Sequence, residues 1–322
     1  MDWIAGDIGG TKCRLAWVTA ERAGGRQLRF ECEYPSAAFA TADDLIRQFI
    51  VEARQAVSPD SLMLALPGPT DAQHVALTNL DWVLDAADMQ ASLGIPHIHF
   101  INDFQAAAAG VAMLTPDDVV VLNAQPAEPA GVRAVTGAGT GLGLAFMLAD
   151  ANGRYRTSPS EGGHVDFAPA NARQARLLEQ LRTVHGHVSW ERVVSGLAMN
   201  DLYRFCCAEQ NIALRDEAVD GAALVARAGA GDAAAEAALD LFVELYGAWV
   251  GNVALLFQPR GGLYIAGGIA AHLQGRMQAS RFMAAATDKG RMRGVVERTP
   301  IFLVTNKRLG VLGAIATAQD LA

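Results

Sequence analysis

The sequence predicts an α/β protein, and three observations carry that expectation. Short apolar runs of strand type alternate with segments of helical spacing. Two glycine turns, at Gly6 and at Gly137, each join two such runs. Hydrophobic residues make up 51% of the 322-residue chain against 19% charged, ample for a packed core and too apolar for a disordered one. With domains of roughly 100–200 residues, the length suggests two domains or one large one.

Taken in order, Trp3-Ile4-Ala5 is a short apolar run, and Cys13 to Val18 resumes as a strand after the glycine turn. Residues 42–56 place Leu45, Ile46, Phe49, Ile50 and Ala53 at helical spacing. Residues 61–66 read as a buried strand ending at Pro67-Gly68-Pro69, residues 97–101 as another strand, and 104–113 as an alanine-rich helix. A strand at 117–122 leads through a Pro/Gly/Ala loop into the second glycine hairpin. Helices are expected over 172–183, 191–207, 222–228 and 233–256, strands at 263–266 and 301–304, and a small-residue helix over 309–321. The paired glycine hairpins have the pattern of an internal duplication in which each half offers one phosphate loop.

The formal charge of −8 argues against a nucleic-acid partner, since no net positive field recruits a polyanion. Small anions remain possible, because backbone N–H groups can hold phosphate without net positive charge. Cys13, Cys32, Cys206 and Cys207 show neither a disulfide framework nor zinc spacing, which suits a reducing compartment. The opening residues lack a basic n-region and a sustained apolar stretch, so no signal peptide is expected. The apolar window at 134–149 contains Gly137, Gly139, Gly141 and Gly143 and reads as strand–turn–strand, not a membrane span. A cytoplasmic protein without a membrane partner is the expectation.

The loop Gly6-Asp7-Ile8-Gly9-Gly10-Thr11-Lys12 is neither a P-loop nor a dinucleotide fingerprint, because a strand, not a helix, follows the glycines. Gly9-Gly10 permits a tight turn with positive φ and close approach of a ligand to the backbone. Successive N–H groups with the Thr11 hydroxyl could form an anion nest, and Asp7 beside it suits a bridging Mg²⁺. An ordinary hairpin with a solvated Asp7 is the plain alternative. The second loop, Gly137-Ala138-Gly139-Thr140-Gly141-Leu142-Gly143, has more glycines than a structural turn needs, which points to a ligand at the backbone. Gly267-Gly268 lies where a strand opens into a helix, an arrangement that simple packing also explains.

Asn102-Asp103 falls at a strand-to-helix junction. Helix capping accounts for it, while the carboxyl end of a strand is also where open α/β sheets bind ligands. There Asp103 could accept a proton from a hydroxyl. Glu161-Gly162-Gly163-His164 offers acceptors and a switchable donor suited to neighbouring hydroxyls, and its two glycines argue against a shared helical face. Glu191 stands at an expected helix start, where a negative charge is favourable in any case. His97-x-His99 and His185-x-His187 read as surface or packing pairs, since no third metal ligand lies nearby in the sequence.

Taken together, GDIGGTKCRLAW, LALPGP, LTNLDWVLD, INDFQAAAAG, TGAGTGLGLAF, SEGGHVDFAP, GHVSWERVVSG and GGLYIAGGI, in this order, are similar to the bacterial glucokinases. These belong to the hexokinase-like superfamily that also includes actin and heat-shock chaperones. The resemblance runs nearly end to end. It implies an actin-like ATPase (ribonuclease H-like) fold with mixed sheets and a cleft between two lobes. Residues 1–113 with 306–322 would form the small lobe, and residues 114–305 the large one.

It further implies ATP-dependent phosphorylation of the glucose 6-hydroxyl with Mg²⁺, in a cytoplasmic homodimer. Asp103 matches the catalytic base, and Asn102, Asp103, Glu161, His164 and Glu191 match the sugar ligands. Gly6, Asp7, Gly9, Gly10 and Thr11 match the first phosphate loop, Gly139, Thr140 and Gly141 the second, and Gly267 and Gly268 the adenosine side. Asp7 would meet Mg²⁺ through water. Lys12 stands where relatives often carry Asn, Ser160 where they often have Gly, and Leu80-Asp81 follows Thr78-Asn79 where a His is common. These departures bear on sugar preference, leaving kinases of mannose, glucosamine or fructose, and a non-catalytic sugar sensor, as alternatives. The zinc motif of the related ROK kinases and repressors is absent, and no helix-turn-helix precedes Gly6.

Overall fold

The first apolar run forms strand β1 (Asp2–Ile8), which turns through Gly9–Lys12 into β2 (Lys12–Ala20) and then β3 (Arg26–Pro35). The structure, a computed structural model, describes every residue except 22–24, 69–72, 78–79, 214–217 and 322. Pro69 and the Thr78-Asn79 pair therefore lie outside the described residues. The chain divides into two compact units, Met1–Thr115 with Asn306–Ala322, and Pro116–Thr305.

The first unit continues with β4 (Ser61–Leu66), the small pair β5 (His74–Ala76) and β6 (Val83–Asp85), and β7 (His97–Asn102). Its main sheet runs β3-β2-β1-β4-β7. The first two pairings are antiparallel; β1–β4 and β4–β7 are parallel. Alternation along the strands gives the sheet two apolar faces. One packs Ile4, Leu15, Trp17, Leu62 and Leu64 against Leu45, Ile46 and Phe49 of the Ala42–Ala53 helix. That helix starts where the Thr41 hydroxyl accepts from the Asp44 amide at 3.1 Å and stops at Arg54, which takes φ 49°.

The other face, with Trp3, Ala5, Met63 and Ala65, lies under Val311, Ala314, Ile315 and Ala318 of the Leu309–Leu321 helix. Burying each larger apolar side chain there contributes about 1.5–3 kcal/mol. The same helix crosses the Asp103–Gly110 helix at glycine contact: a Cβ on Gly313 would stand 1.6 Å from the Ala106 carbonyl oxygen, and one on Gly110 2.3 Å from that of Leu309.

The second unit holds β8 (Val119–Asn123), β9 (Arg133–Ala138), β10 (Leu142–Ala149), β11 (Tyr155–Ser160), β12 (Gly262–Ala266) and β13 (Ile301–Val304). They run in the order β11-β10-β9-β12-β13-β8. β9, β10 and β11 pair antiparallel, and β12 and β13 join in parallel, as β1, β2, β3, β4 and β7 do in the first sheet. The antiparallel edge strand β8 is the addition. The duplication suggested by the two glycine hairpins is thus visible in topology.

Behind β9 lies the 25-residue helix Ala233–Phe257, capped by Asp232, whose carboxylate accepts from the Ala234 and Ala235 amides at 3.0 Å. It is long and apolar enough to cross a membrane, but 72% of its apolar window is buried inside the protein, which is how a central core helix presents itself. Gly247 and Gly251 let the Ser280–Thr287 helix lie on it, since a Cβ at either would stand 2.2 Å from a carbonyl oxygen of that helix.

Two expectations change. The helix expected over 191–207 is instead a 3₁₀ turn at Trp190–Arg192 followed by the Ala198–Glu209 helix. Between them Gly196 donates its amide to the Gly139 carbonyl at 2.8 Å, which interrupts the helical ladder. The helix expected over 104–113 ends at Gly110 and tightens into a 3₁₀ turn, Val111–Met113. All four cysteines are free thiols, with Cys13, Cys206 and Cys207 buried.

Candidate active site

In the first unit, Asp7, one residue before the end of β1, lies beside Gly310, where a Cβ would stand 2.3 Å from its carboxylate oxygen. Only glycine lets the first turn of the Leu309–Leu321 helix approach this carboxylate. Burial pushes the Asp7 carboxyl up to about 6, with the Arg14 guanidinium pulling the other way. The turn closes with the Gly9 amide donating to the Lys12 carbonyl at 3.0 Å. Gly9 and Gly10 keep φ out of the left-handed region, contrary to expectation. The need for glycine at position 9 is steric, as a Cβ would stand 2.8 Å from the Lys12 oxygen. Lys12 itself is exposed and bonds Glu33 at 2.6 Å; Arg14 also bonds Glu33, and the two cations hold that carboxyl down to about 2.

Asn102 caps the Asp103–Gly110 helix. Its Oδ1 accepts from the Phe104 and Gln105 amides at 3.0 Å, and its Nδ2 donates to the Gly68 carbonyl at 3.0 Å. Asp103 is the first residue of that helix and is half-buried, and its Oδ1 also accepts from the Phe104 amide at 2.8 Å. A carboxylate there lies in the favourable field of the helix N-terminus.

In the second unit, Glu161, His164 and Glu191 come together at the second glycine loop. Gly162–His164 forms one 3₁₀ turn, in which positions three apart eclipse. Glu161 and His164 therefore do face each other, with 3.8 Å between Oε2 and Nε2, and the two glycines that argued against this are needed for packing. A Cβ on Gly163 would stand 2.0 Å from the Leu142 carbonyl oxygen. His164 Nδ1 also lies 4.0 Å from Glu191 Oε1, so the imidazole sits between two carboxylates. Glu191, in the Trp190–Arg192 turn, accepts from the Leu142 amide at 2.9 Å through Oε2. A Cβ on Gly141 would stand 2.4 Å from that oxygen, which is the reason for glycine there.

A Cβ on Gly139 would meet nothing within 4 Å, so the loop is open on that side of its backbone. The Gly139 amide donates to the Gly141 carbonyl at 2.8 Å, spanning Thr140. Gly267, at φ +95°, leads into the Gly268–His272 helix, and a Cβ on it would stand 2.6 Å from the Ala138 carbonyl oxygen. β12 pairs Ala266 with Gly137, which brings Gly267-Gly268 to the base of the same loop.

The residues that hold the two loops from behind escaped the sequence reading. Fully buried Ser36 donates to the Gly9 carbonyl at 2.7 Å. In the second unit the Tyr246 hydroxyl accepts from the Ala138 amide at 3.0 Å, and Trp249 Nε1 donates to Thr136, whose hydroxyl donates to the Gly143 carbonyl at 2.8 Å. A lone Ser after Pro, or two aromatics in an apolar helix, carry no local signal of such a task. Among the described residues no group of three or more His, Cys, Asp and Glu could hold a metal. His185 and His187 instead pair with Asp201 and Asp166 at 2.8 and 2.7 Å. His97 and His99 line a cavity of about 370 Å³ with Ser61, Met63 and Ala318, at the far end of the Leu309–Leu321 helix from Asp7.

A model of the family described as Glucokinase matches residues 4–321. A glucokinase of Nostoc punctiforme is 38% identical over 339 residues, with 99% of each chain covered. Among solved structures, a glucokinase from an Antarctic psychrotroph is similar at a TM-score of 0.85 and 32% identity, again with 99% of each chain covered. A glucokinase of Balamuthia mandrillaris in complex with glucose is similar in fold at a TM-score of 0.79 and 23% identity, over 99% of this chain and 93% of that one.

Proposed function

The chain belongs to the glucokinase family and has the actin-like ATPase fold of the sugar kinases, and on that premise we propose how its residues transfer the γ-phosphoryl of ATP to the 6-hydroxyl of D-glucose. The products are glucose 6-phosphate and ADP. A primary alcohol is a poor nucleophile, so Asp103 orients the 6-hydroxyl and takes its proton as the bond to phosphorus forms. Glu161, His164 and Glu191 bind the ring hydroxyls; their mutual approach in one unit is the observation that supports this most directly. Asn102 in the first unit is assigned a sugar hydroxyl through the Nδ2 hydrogen that its bond to Gly68 leaves, and it fixes the helix end on which Asp103 stands.

The backbone amides of Gly10 and Thr11, and of Thr140 and Gly141, bind the phosphates, in turns that the Gly9 and Gly139 amides close by donating to the Lys12 and Gly141 carbonyls, with Gly6 giving the room that β1 needs and Gly267-Gly268 serving the adenosine side. A Cβ on Gly6 would stand 2.5 Å from Leu15 Cδ2, so that glycine serves packing. Mg²⁺ fits the donor set in the form in which it usually serves nucleotides. It keeps most of its waters and leans on one carboxylate plus the substrate phosphates. Asp7, raised to about 6 by burial with only Arg14 in opposition, is a carboxylate that a nearby cation would favour. When bound, the ion offsets charge on the transferring phosphoryl group. A homodimer and a cytoplasmic location belong to the same reading, supported by the likeness of the whole chain to the family.

ADP release measured with ATP, Mg²⁺ and, in turn, glucose, mannose, glucosamine and fructose tests the assignment. Glucose gives the highest kcat/KM. Turnover with none of the sugars identifies a sensor rather than a kinase, and preference for another hexose overturns the substrate. In Asp103→Asn, turnover falls by roughly 10²–10⁴-fold while glucose binding, read by tryptophan fluorescence, persists. Near-normal turnover removes Asp103 from the role of base.

A further inference from the structure

We propose that Ser36 is a positioning residue for the first phosphate loop: it holds the loop's carbonyls inward so that two backbone amides face the nucleotide. The inference rests on the reading of Gly9–Lys12 as a phosphate loop. Ser36 follows β3, opens the 3₁₀ turn Ser36–Ala38 and is wholly inaccessible to solvent. From there it bonds the turn twice. Its hydroxyl donates to the Gly9 carbonyl at 2.7 Å, and its amide donates to the Thr11 carbonyl at 3.0 Å. The Cys13 thiol, buried below the turn, lies 3.2 Å from the same hydroxyl.

What these bonds do follows from the planarity of the peptide unit. In a trans peptide the C=O and the next N–H point in opposite directions. With the Gly9 carbonyl turned to the Ser36 hydroxyl, the Gly10 N–H must point away from Ser36. With the Thr11 carbonyl turned to the Ser36 amide, the Lys12 N–H must do the same. Gly10, Thr11 and Lys12 are all exposed, so away from Ser36 is outward. A two-residue turn rich in glycine has little stiffness of its own, since glycine samples the widest range of φ and ψ. Without an anchor, the Gly9–Gly10 peptide could flip and present a carbonyl to the phosphates instead of an amide. The anchor has to be a hydrogen-bond donor, because the acceptor is a carbonyl, and the buried Ser36 hydroxyl supplies one where no water reaches. In the second loop the Thr136 hydroxyl likewise donates to the Gly143 carbonyl, whereas the Tyr246 hydroxyl accepts from the Ala138 amide.

Ser36→Ala, Ser36→Thr and Ser36→Cys test this in the full-length enzyme with ATP, Mg²⁺ and glucose. Loss of one preorganising hydrogen bond translates to about a tenfold change in binding. Ser36→Ala is therefore expected to raise KM for ATP about tenfold and lower kcat, with KM for glucose unchanged. Ser36→Thr keeps the hydroxyl and restores KM for ATP; Ser36→Cys, with a weaker donor, falls between. Amide hydrogen exchange of residues 9–12 speeds up in Ser36→Ala without nucleotide. A merely structural serine would lower Tm and leave both KM values as they are, and that result overturns the proposal. If Ser36→Ala does not fold, equal KM for ATP in the serine and cysteine forms overturns it instead. A wild-type enzyme with no ATP-dependent turnover would fail the reading of the loop itself, which is a separate outcome.

Discussion

Replacing Gly313 by alanine would set a methyl group 1.6 Å from the Ala106 carbonyl oxygen, where ordinary contact begins at 3.4 Å. The Leu309–Leu321 and Asp103–Gly110 helices would have to separate by roughly 1.8 Å at that point, since the obstacle is backbone and cannot rotate away. Overpacking of this kind costs about 1–3 kcal/mol. At roughly 2–4 °C per kcal/mol for domains of this general size, Tm falls by about 2–12 °C. The second effect is catalytic. Asp103 stands on the first turn of the displaced helix, and a misplacement of about 1 Å is enough to cost on the order of a hundredfold in rate. Calorimetry gives the first quantity and a coupled ADP assay, run well below the transition, the second. Gly229→Ala is the control, because open space surrounds that position and both readings should stay at wild-type values. If Gly313→Ala lost stability with kcat intact, the argument that this crossing sets the position of Asp103 would be refuted.

Two further substitutions read the electrostatics and the packing of the loops. Asp7 holds its proton up to about pH 6 in the folded chain, above the 3.8 of a free carboxyl, so ionising it opposes folding. The penalty is absent below about pH 4, grows between about 4 and 6, and is complete above that, reaching at most about 3 kcal/mol. Asp7→Asn should therefore raise Tm at pH 7 and lose that advantage as pH falls toward 4, while turnover disappears; a Tm gap constant across that range would contradict the assignment. Gly141→Ala pushes a methyl against the Glu191 carboxylate. It is expected to raise KM for glucose by about tenfold although position 141 belongs to the nucleotide loop, and an effect confined to KM for ATP would show that the contact is relieved locally.

Much of the fold was readable because its signals are local. Residues 61–66 and 301–304 are strands to the residue, being uninterrupted apolar runs with turn residues around them. Asn102, Asp220 and Asp232 announce helix starts by the chemistry of their side chains. β3 was not readable, because half of its ten residues are exposed and four are charged, which breaks any apolar run. It is held by β2 and by ion pairs such as Arg14–Glu31, with Arg308 reaching Glu31 at 2.9 Å from a distant part of the chain. Glu191 illustrates the limit within the site. A local rule placed it at a helix start, whereas its real partner is the Leu142 amide, 49 residues earlier. Ser36 is the same case, its acceptor lying 27 residues upstream. Contacts of that kind belong to the sheet register, which no single stretch of sequence displays.

The return of residues 306–321 to the first unit sets an order on biosynthesis. The unit spanning Pro116–Thr305 is continuous, so the ribosome delivers all of it in one piece. The earlier segment must wait. Until the helix Leu309–Leu321 has emerged, the sheet face bearing Trp3, Ala5, Met63 and Ala65 stays uncovered. A nascent chain of this enzyme thus carries a greasy, half-finished sheet through most of its translation, and its yield in a cell will track the supply of chaperones that shield such surfaces.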